Sequence, residues 1–219
     1  MIRAALFDLD GTLNNTIDDI ADAMNWALAK NGLPEWPVDR YRYMVGNGAR
    51  KLSERAVGSR KDLVDAVHRD YQARYETHNL VKTQPYPGIP ELLRALAEQG
   101  LQLCVLSNKP DADTRHVIAH FFPDIPFAIV RGQKEGVPLK PNPTAALQIA
   151  SELGLSPSDF VYLGDTSVDM ECARNAGMLP VGVLWGFRDE KELRESGAKW
   201  ILFRPSELLT HLKEEKTMV

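Results

Sequence analysis

The 219-residue chain carries a formal net charge of −4, with 44% hydrophobic and 26% charged residues, the make-up of a globular protein with a substantial core. That balance excludes a basic field able to hold nucleic acid or an anionic membrane surface, so any anionic ligand must find positive charge gathered locally. Cys104 and Cys172 sit in apolar runs and read as core filler in a reducing compartment; no run is long enough to span a membrane, and Asp8 and Asp10 interrupt the first one, which predicts a soluble, cytoplasmic protein.

In chain order, Ala4 to Phe7 is a short apolar run that predicts a strand buried on both faces. It leads directly into Asp8-Leu9-Asp10-Gly11-Thr12, two carboxylates one residue apart followed by a turn signal. Thr16, Asp18 and Asp19 form a plausible cap and first turn for a helix with Ile17, Ile20, Ala21, Met24, Ala27 and Leu28 on one face. Asn31-Gly32 stops it, and Pro34-Glu35-Trp36-Pro37 is a stiff connector. From Val38 to Asn79 the pattern stays helical, broken at Gly46-Asn47-Gly48 and Gly58-Ser59, with no strand-like alternation. Residues 16–83 therefore read as a helical insert. Residues 1–15 and 84–219 form the main body, which resumes at Pro85-Tyr86-Pro87-Gly88.

Beyond that turn, strands and helices alternate. Helices are predicted over Glu91–Gln99, Thr114–Phe122, Thr144–Leu153, Asp169–Ala176, Glu190–Glu195 and Ser206–Lys213. Strands are predicted over Leu101–Leu106, Phe127–Val130, Phe160–Leu163, Leu179–Leu184 and Trp200–Leu202. This order predicts an α/β fold with a doubly wound, Rossmann-like parallel sheet. Right-handed crossovers then bring every strand's carboxyl end to one rim.

The polar sequence falls at that rim. Besides Asp8 and Asp10 it includes Ser107-Asn108-Lys109-Pro110, Lys140-Pro141-Asn142-Pro143 and Gly164-Asp165-Thr166-Ser167-Val168-Asp169. Crowded carboxylates need a cation between them, and hard oxygen ligands such as Asp8 and Asp165 suit Mg²⁺ with a substrate phosphate. Lys140, Ser107 and backbone amides can stabilise phosphate oxygens. A carboxylate nucleophile would split a difficult hydrolysis into two steps. The inventory points to phosphoryl transfer.

The set DLDGT (8–12), SN (107–108), K (140) and GDTSVD (164–169) resembles the four motifs of the haloacid dehalogenase superfamily of phosphatases, in order and in strand-end placement. At average residue usage, the DxDGT element alone would match a chain of this length by chance roughly once in a thousand. The helical insert stands where that family carries its C1-type cap. The resemblance implies Asp8 as nucleophile and Mg²⁺ ligand. It implies Asp10 as proton donor and then base, its backbone carbonyl on the metal, with Thr12 holding it in place. Ser107 and Asn108 would grip the phosphate, Lys140 would neutralise charge, Asp165 would bind Mg²⁺, and Asp169 would bind it directly or through water.

Val45-Gly46-Asn47-Gly48-Ala49-Arg50 is similar to the cap segment of bacterial phosphoglycolate phosphatases. This makes Gly46, Asn47, Gly48 and Arg50 candidate substrate contacts, although the same stretch serves equally as an interhelical turn. The implied substrate is a small phosphorylated metabolite, 2-phosphoglycolate first. Nucleotide, sugar-phosphate or pyrophosphate hydrolysis, a mutase, and a non-catalytic phosphoryl-binding module are the alternatives. His116 and His120, four apart on a predicted helix, read as solvated, and Trp26 and Trp36 as packing residues of the insert. Asn14–Thr16 and Gln84–Gly88 are candidate hinges.

Overall fold

The computed structural model describes residues 2–217. Its strands are β1 (Ala4–Phe7), β2 (Asn14–Asn15), β3 (Gln84–Pro85), β4 (Gln102–Pro110), β5 (Phe127–Gln133), β6 (Phe160–Gly164), β7 (Leu179–Val183) and β8 (Trp200–Leu202). Six of them form one parallel sheet in the order β5-β4-β1-β6-β7-β8, with β1 between β4 and β6. Ala4 of β1 sits opposite Gln102 and Phe160, and Phe7 opposite Val105 and Leu163, so the three central strands start in step, and β4 runs on past the ends of the other two.

The two-residue period of a strand sends alternate side chains to opposite faces. Ala5, Phe7, Leu103, Val105, Val161 and Leu163 join a core beneath α5 (Ile89–Glu98), α6 (Asp111–Phe121) and α10 (Glu207–Thr217). Ala4, Leu6, Cys104, Leu106, Phe160 and Tyr162 face α7 (Thr144–Glu152) and α8 (Ser167–Ala176). Cys104 and Cys172 are both free and buried in this second layer. Burial pushes the Cys104 thiol up to about 12 and that of Cys172 to about 11, as expected of inert core residues.

A third apolar cluster is built from α1 (Ile17–Lys30), α2 (Val38–Tyr41), α3 (Ala49–Ala56) and α4 (Val64–His78), joined by one residue from far along the chain, Phe187. The helical stretch expected from Val38 is more broken than its pattern suggests, since α2 holds four residues and a turn-rich segment fills the gap to α3. Trp36 packs against this cluster, its indole N–H donating to the Ala56 carbonyl at 2.8 Å. Trp26 does not. It is 40% exposed, with Lys30 and Arg74 over its ring. His116 and His120 are exposed on α6.

Two differences from the sequence reading concern where elements begin. β4 runs on through Ser107, Asn108 and Lys109 to Pro110, and α6 then starts at Asp111 rather than Thr114. Polar side chains at the end of a strand weaken its apolar signature without breaking its backbone ladder. The candidate hinges also turn out to be paired, with Asn14 opposite Pro85 and Asn15 opposite Gln84 in a two-stranded antiparallel sheet. A two-residue strand has no alternation to read.

This pairing is secured by Asp19 in the first turn of α1, which is almost fully buried. Its carboxylate accepts from the Lys82 and Thr83 amides at 2.9–3.0 Å and from the Thr83 hydroxyl at 2.8 Å. Charge-assisted bonds to a buried carboxylate are among the stronger polar contacts, and their loss leaves amides unsatisfied. Asp19→Ala is expected to lower stability by about 2–4 kcal/mol, read as a reduced urea midpoint, whereas a midpoint within error of the parent would show that the junction carries no such weight.

Candidate active site

The site lies at the carboxyl ends of the three central strands. Asp8 follows β1 and is buried, its backbone N–H donating to the Leu163 carbonyl at 2.9 Å. Its Oδ1 accepts from the Leu9 amide at 2.7 Å and lies 2.9 Å from Lys140 Nζ. Its Oδ2 takes no hydrogen bond from any of the described residues and is the oxygen left for chemistry.

Lys140 is buried and its ammonium is fully used. Nζ lies 2.9 Å from Asp8 Oδ1, donates to Asp169 Oδ1 at 2.7 Å, and donates to the Leu106 carbonyl at 3.1 Å. An ammonium has three donors, so this group is committed to fixing two acids and the β4 backbone at Leu106. Burial alone would depress its pKa, but Asp169 and Asp8 outweigh burial and hold it above the usual lysine range.

Asp169 is engaged at both oxygens. Oδ1 meets Lys140, while Oδ2 accepts from the Thr166 amide at 3.2 Å and its hydroxyl at 2.7 Å, a capping box that opens α8. Thr166, next to Asp165, is the N-cap of that helix. Asp165 is fully buried, accepting from Thr12 Oγ1 at 3.2 Å and from the Phe187 amide at 2.8 Å. Thr12 thus holds Asp165, where the resemblance implied that it would hold Asp10. Gly11, at φ +84°, and Gly186 close over Asp165 so tightly that a Cβ on either would strike its side chain. Only glycine fits there.

One carboxylate oxygen from each of Asp8, Asp165 and Asp169 lies within 4.8 Å of the others. Burial, followed by repulsion from Asp169, pushes Asp8 up from 3.8 to about 7 in spite of Lys140. Burial likewise raises Asp165 well above the usual carboxylate range, with Asp169 and Asp8 adding to it. Four acids, counting Asp10, are matched by only two ammonium groups, Lys140 and Lys109. The set is short of positive charge and rich in hard oxygen donors, which is what a divalent cation such as Mg²⁺ fits.

Above Asp8 and Asp10 opens a pocket of about 660 Å³, counted with its solvent-filled mouth. Ser107, Gly46 and Gly48 reach it. Asn108 reaches it too, but its side-chain amide is spent on structure. Nδ2 donates to the Gly46 and Lys140 carbonyls and Oδ1 accepts from the Lys140 amide, so Asn108 ties the Gly46 turn to the Lys140 loop. Asn47 and Arg50 are not brought to the pocket. Asn47 Oδ1 accepts from Arg55 at 2.8 Å, and Arg50 turns outward to Asp65 and Glu54.

The pocket also contains groups that the motifs did not single out. Lys109 Nζ holds both oxygens of Asp10 at 2.7 and 2.8 Å and lies 4.7 Å from the centre of the Tyr75 ring. Ile20, Leu52, Tyr71, Tyr75 and Phe187 supply an apolar wall. The signal for Lys109 was its place between Asn108 and Pro110. For Tyr71 and Tyr75 it was their four-residue spacing on one helix.

Residues 5–183 match the haloacid dehalogenase-like hydrolase family. A phosphoglycolate phosphatase of Aquifex aeolicus is 34% identical over 212 residues, covering 95% of this chain and 95% of that protein. An N-acetylmuramic acid 6-phosphate phosphatase of Pseudomonas aeruginosa is 32% identical over 211 residues, covering 95% and 93%. Among solved structures, a predicted phosphoglycolate phosphatase from Haemophilus somnus superposes with a TM-score of 0.90 at 29% identity, covering 96% of this chain and 98% of that one. With its parallel sheet, buried acid cluster and lysine in the same order as the sequence motifs, this chain belongs to the haloacid dehalogenase-like hydrolase family and stands among that family's phosphatases.

Proposed function

We propose that the protein is a Mg²⁺-dependent phosphomonoester hydrolase that works through an aspartyl phosphate on a small phosphorylated metabolite, with 2-phosphoglycolate the leading substrate. The observation that carries this reading is Asp8, a residue of the pocket lining whose Oδ1 is pinned by Lys140 and Leu9 while Oδ2 takes no hydrogen bond from the described residues. In the first step Asp8 Oδ2 attacks phosphorus, the ester P–O bond breaks, and Asp10 gives its proton to the departing oxygen. In the second, Asp10 takes a proton from water, the water oxygen attacks phosphorus, and the bond to Asp8 breaks to release inorganic phosphate. Ser107, in the pocket lining, holds phosphate oxygens.

Mg²⁺ held by Asp8, Asp165 and the Asp10 backbone carbonyl would neutralise the charge shared by carboxylates and phosphate. The hydrogen bonds already made by both Asp169 oxygens favour a supporting role for that residue, orienting Lys140 rather than binding metal directly. Residues 16–83, proposed as a cap over the catalytic body, supply the apolar wall that keeps bulk water from the phosphorylated intermediate.

Asp8→Asn is expected to abolish Mg²⁺-supported hydrolysis of an aryl phosphate, because an amide is a poor nucleophile; retained turnover would sink the aspartyl-phosphate route. Asp10→Asn should lower kcat by about 10²- to 10⁴-fold, and an unchanged rate would remove Asp10 from proton transfer. A kcat/KM panel over phosphoglycolate, nucleotides, sugar phosphates and pyrophosphate decides the substrate.

The raised Asp8 carboxyl, at about 7, gives a separate test in the protein stripped of divalent ions. Between about pH 4 and 7 the folded state keeps a proton that the unfolded chain has released, so stability falls as pH rises across that interval. Thermal melts in chelator should show this decline, Asp8→Asn should flatten it, and millimolar Mg²⁺ should raise Tm most at the alkaline end. A Tm at pH 8 that ignores Mg²⁺ would count against the metal.

A further inference from the structure

Lys109 is the single basic side chain among the described residues lining the pocket. Lys140 lies beneath the floor with its donors filled. The other cations near the pocket are not in its lining. Arg50 faces Asp65 and Glu54, Arg55 donates to Met44 and Asn47, and Arg188 pairs with Glu192 through Nε and donates to the Val45 carbonyl through Nη2, while its Nη1 is buried without a hydrogen-bond partner among the described residues. The carboxyl groups in the lining are Asp8, Asp10 and Asp113. A second anionic group on a substrate has one positive charge to meet in this lining, that of Lys109.

The position of Lys109 suits that task. Its side chain is 5% exposed, and two of its three N–H donors go to the two oxygens of Asp10. The third is free for a ligand, since Tyr75 meets the ammonium with its ring face. In the mechanism above, Asp10 sits at the ester oxygen that leaves, so a charged atom two or three bonds beyond that oxygen falls beside Lys109 Nζ. The flanking walls are largely apolar, and Ile20, Leu52 and Phe187 carry no polar side-chain atom. Low local polarity makes a single ammonium-carboxylate contact strongly discriminating, because a neutral substituent leaves the buried charge without its additional partner. One relative described above is a phosphatase of phosphoglycolate, an ester whose carboxylate oxygens lie three bonds beyond the leaving oxygen.

We infer that Lys109 is the specificity-determining residue, reading a carboxylate on the leaving group, and that the substrate class is phosphomonoesters of small carboxylic acids. This rests on the phosphatase reading and deepens it. Lys109 shares its ammonium between Asp10 and the substrate carboxylate, so binding of the correct ester seats the proton donor against the leaving oxygen in the same contact.

The test compares 2-phosphoglycolate with 2-hydroxyethyl phosphate, the same skeleton with a neutral alcohol in place of the carboxylate. The parent protein is expected to favour phosphoglycolate by at least tenfold in kcat/KM. Lys109→Met, which keeps the apolar stem, is expected to reduce that ratio to within about threefold of unity, while Lys109→Arg keeps most of it. The ratio is taken within one protein, so a general loss of stability or of Asp10 placement cancels. The same pair of ligands, titrated calorimetrically into Asp8→Asn and into Asp8→Asn/Lys109→Met, reads the preference as binding without turnover. A preference that survives Lys109→Met overturns the role of Lys109 and leaves the phosphatase standing. Equal use of both esters by the parent overturns the substrate class. Failure of every ester, aryl phosphates included, refutes the phosphatase reading itself, and the calorimetric ratio still decides whether Lys109 recognises the carboxylate.

Discussion

The structure depends on one buried ammonium. Lys140 Nζ makes three polar contacts, to Asp8 just after β1, to Asp169 in the first turn of α8 and to the Leu106 carbonyl within β4, and through them it joins segments far apart in sequence. Carboxylates as buried as these are costly unless paired and hydrogen-bonded. Lys140 supplies much of that compensation, while Thr166, Phe187 and Leu9 supply the hydrogen bonds. The architecture is therefore organised to hold negative charge in place, and its sheet order puts β1, which leads into Asp8 and Asp10, in the middle where flanking strands can reach it from both sides.

Beyond that centre, positioning is done by residues whose role is to leave no freedom. Asn108 spends its whole amide knitting the Gly46 turn to the Lys140 loop. Gly11 and Gly186 press against Asp165 and admit no side chain. Preorganisation of this sort removes reorganisation from the reaction coordinate, which is where fixed dipoles and charges are most effective. It also separates labour within the rim, since Lys140 is saturated by the protein while Lys109 keeps a donor to spare.

Much of this was legible in the order of residues. All six strands of the main sheet announced themselves as apolar runs, because a strand covered on both faces has little room for polar side chains. The acids at their ends stood out for the same reason, as charge abutting an uninterrupted apolar segment. What could not be read was contact between segments far apart in sequence. Thr12 was assigned to its neighbour Asp10 yet bonds Asp165 across 153 positions. Arg50 lies one residue past the pocket-lining Ala49 and still faces away, since successive helical residues point in different directions. Lys109 was visible only as part of a short motif, and its hold on Asp10 depends on β4 continuing past the point where its apolar signature ends.

Phe187 belongs by sequence to the loop after β7, but its ring is packed among the helices of the insert while its amide holds Asp165. A ring of that size contributes on the order of 1.5–3 kcal/mol when taken out of water. That burial ties the insert to the sheet through a contact equivalent to about one to two powers of ten in an equilibrium constant. Because this contact and the Asp165 hydrogen bond belong to the same residue, the seating of the insert and the geometry of the acid cluster would change together under mutation or evolution, as one trait rather than two.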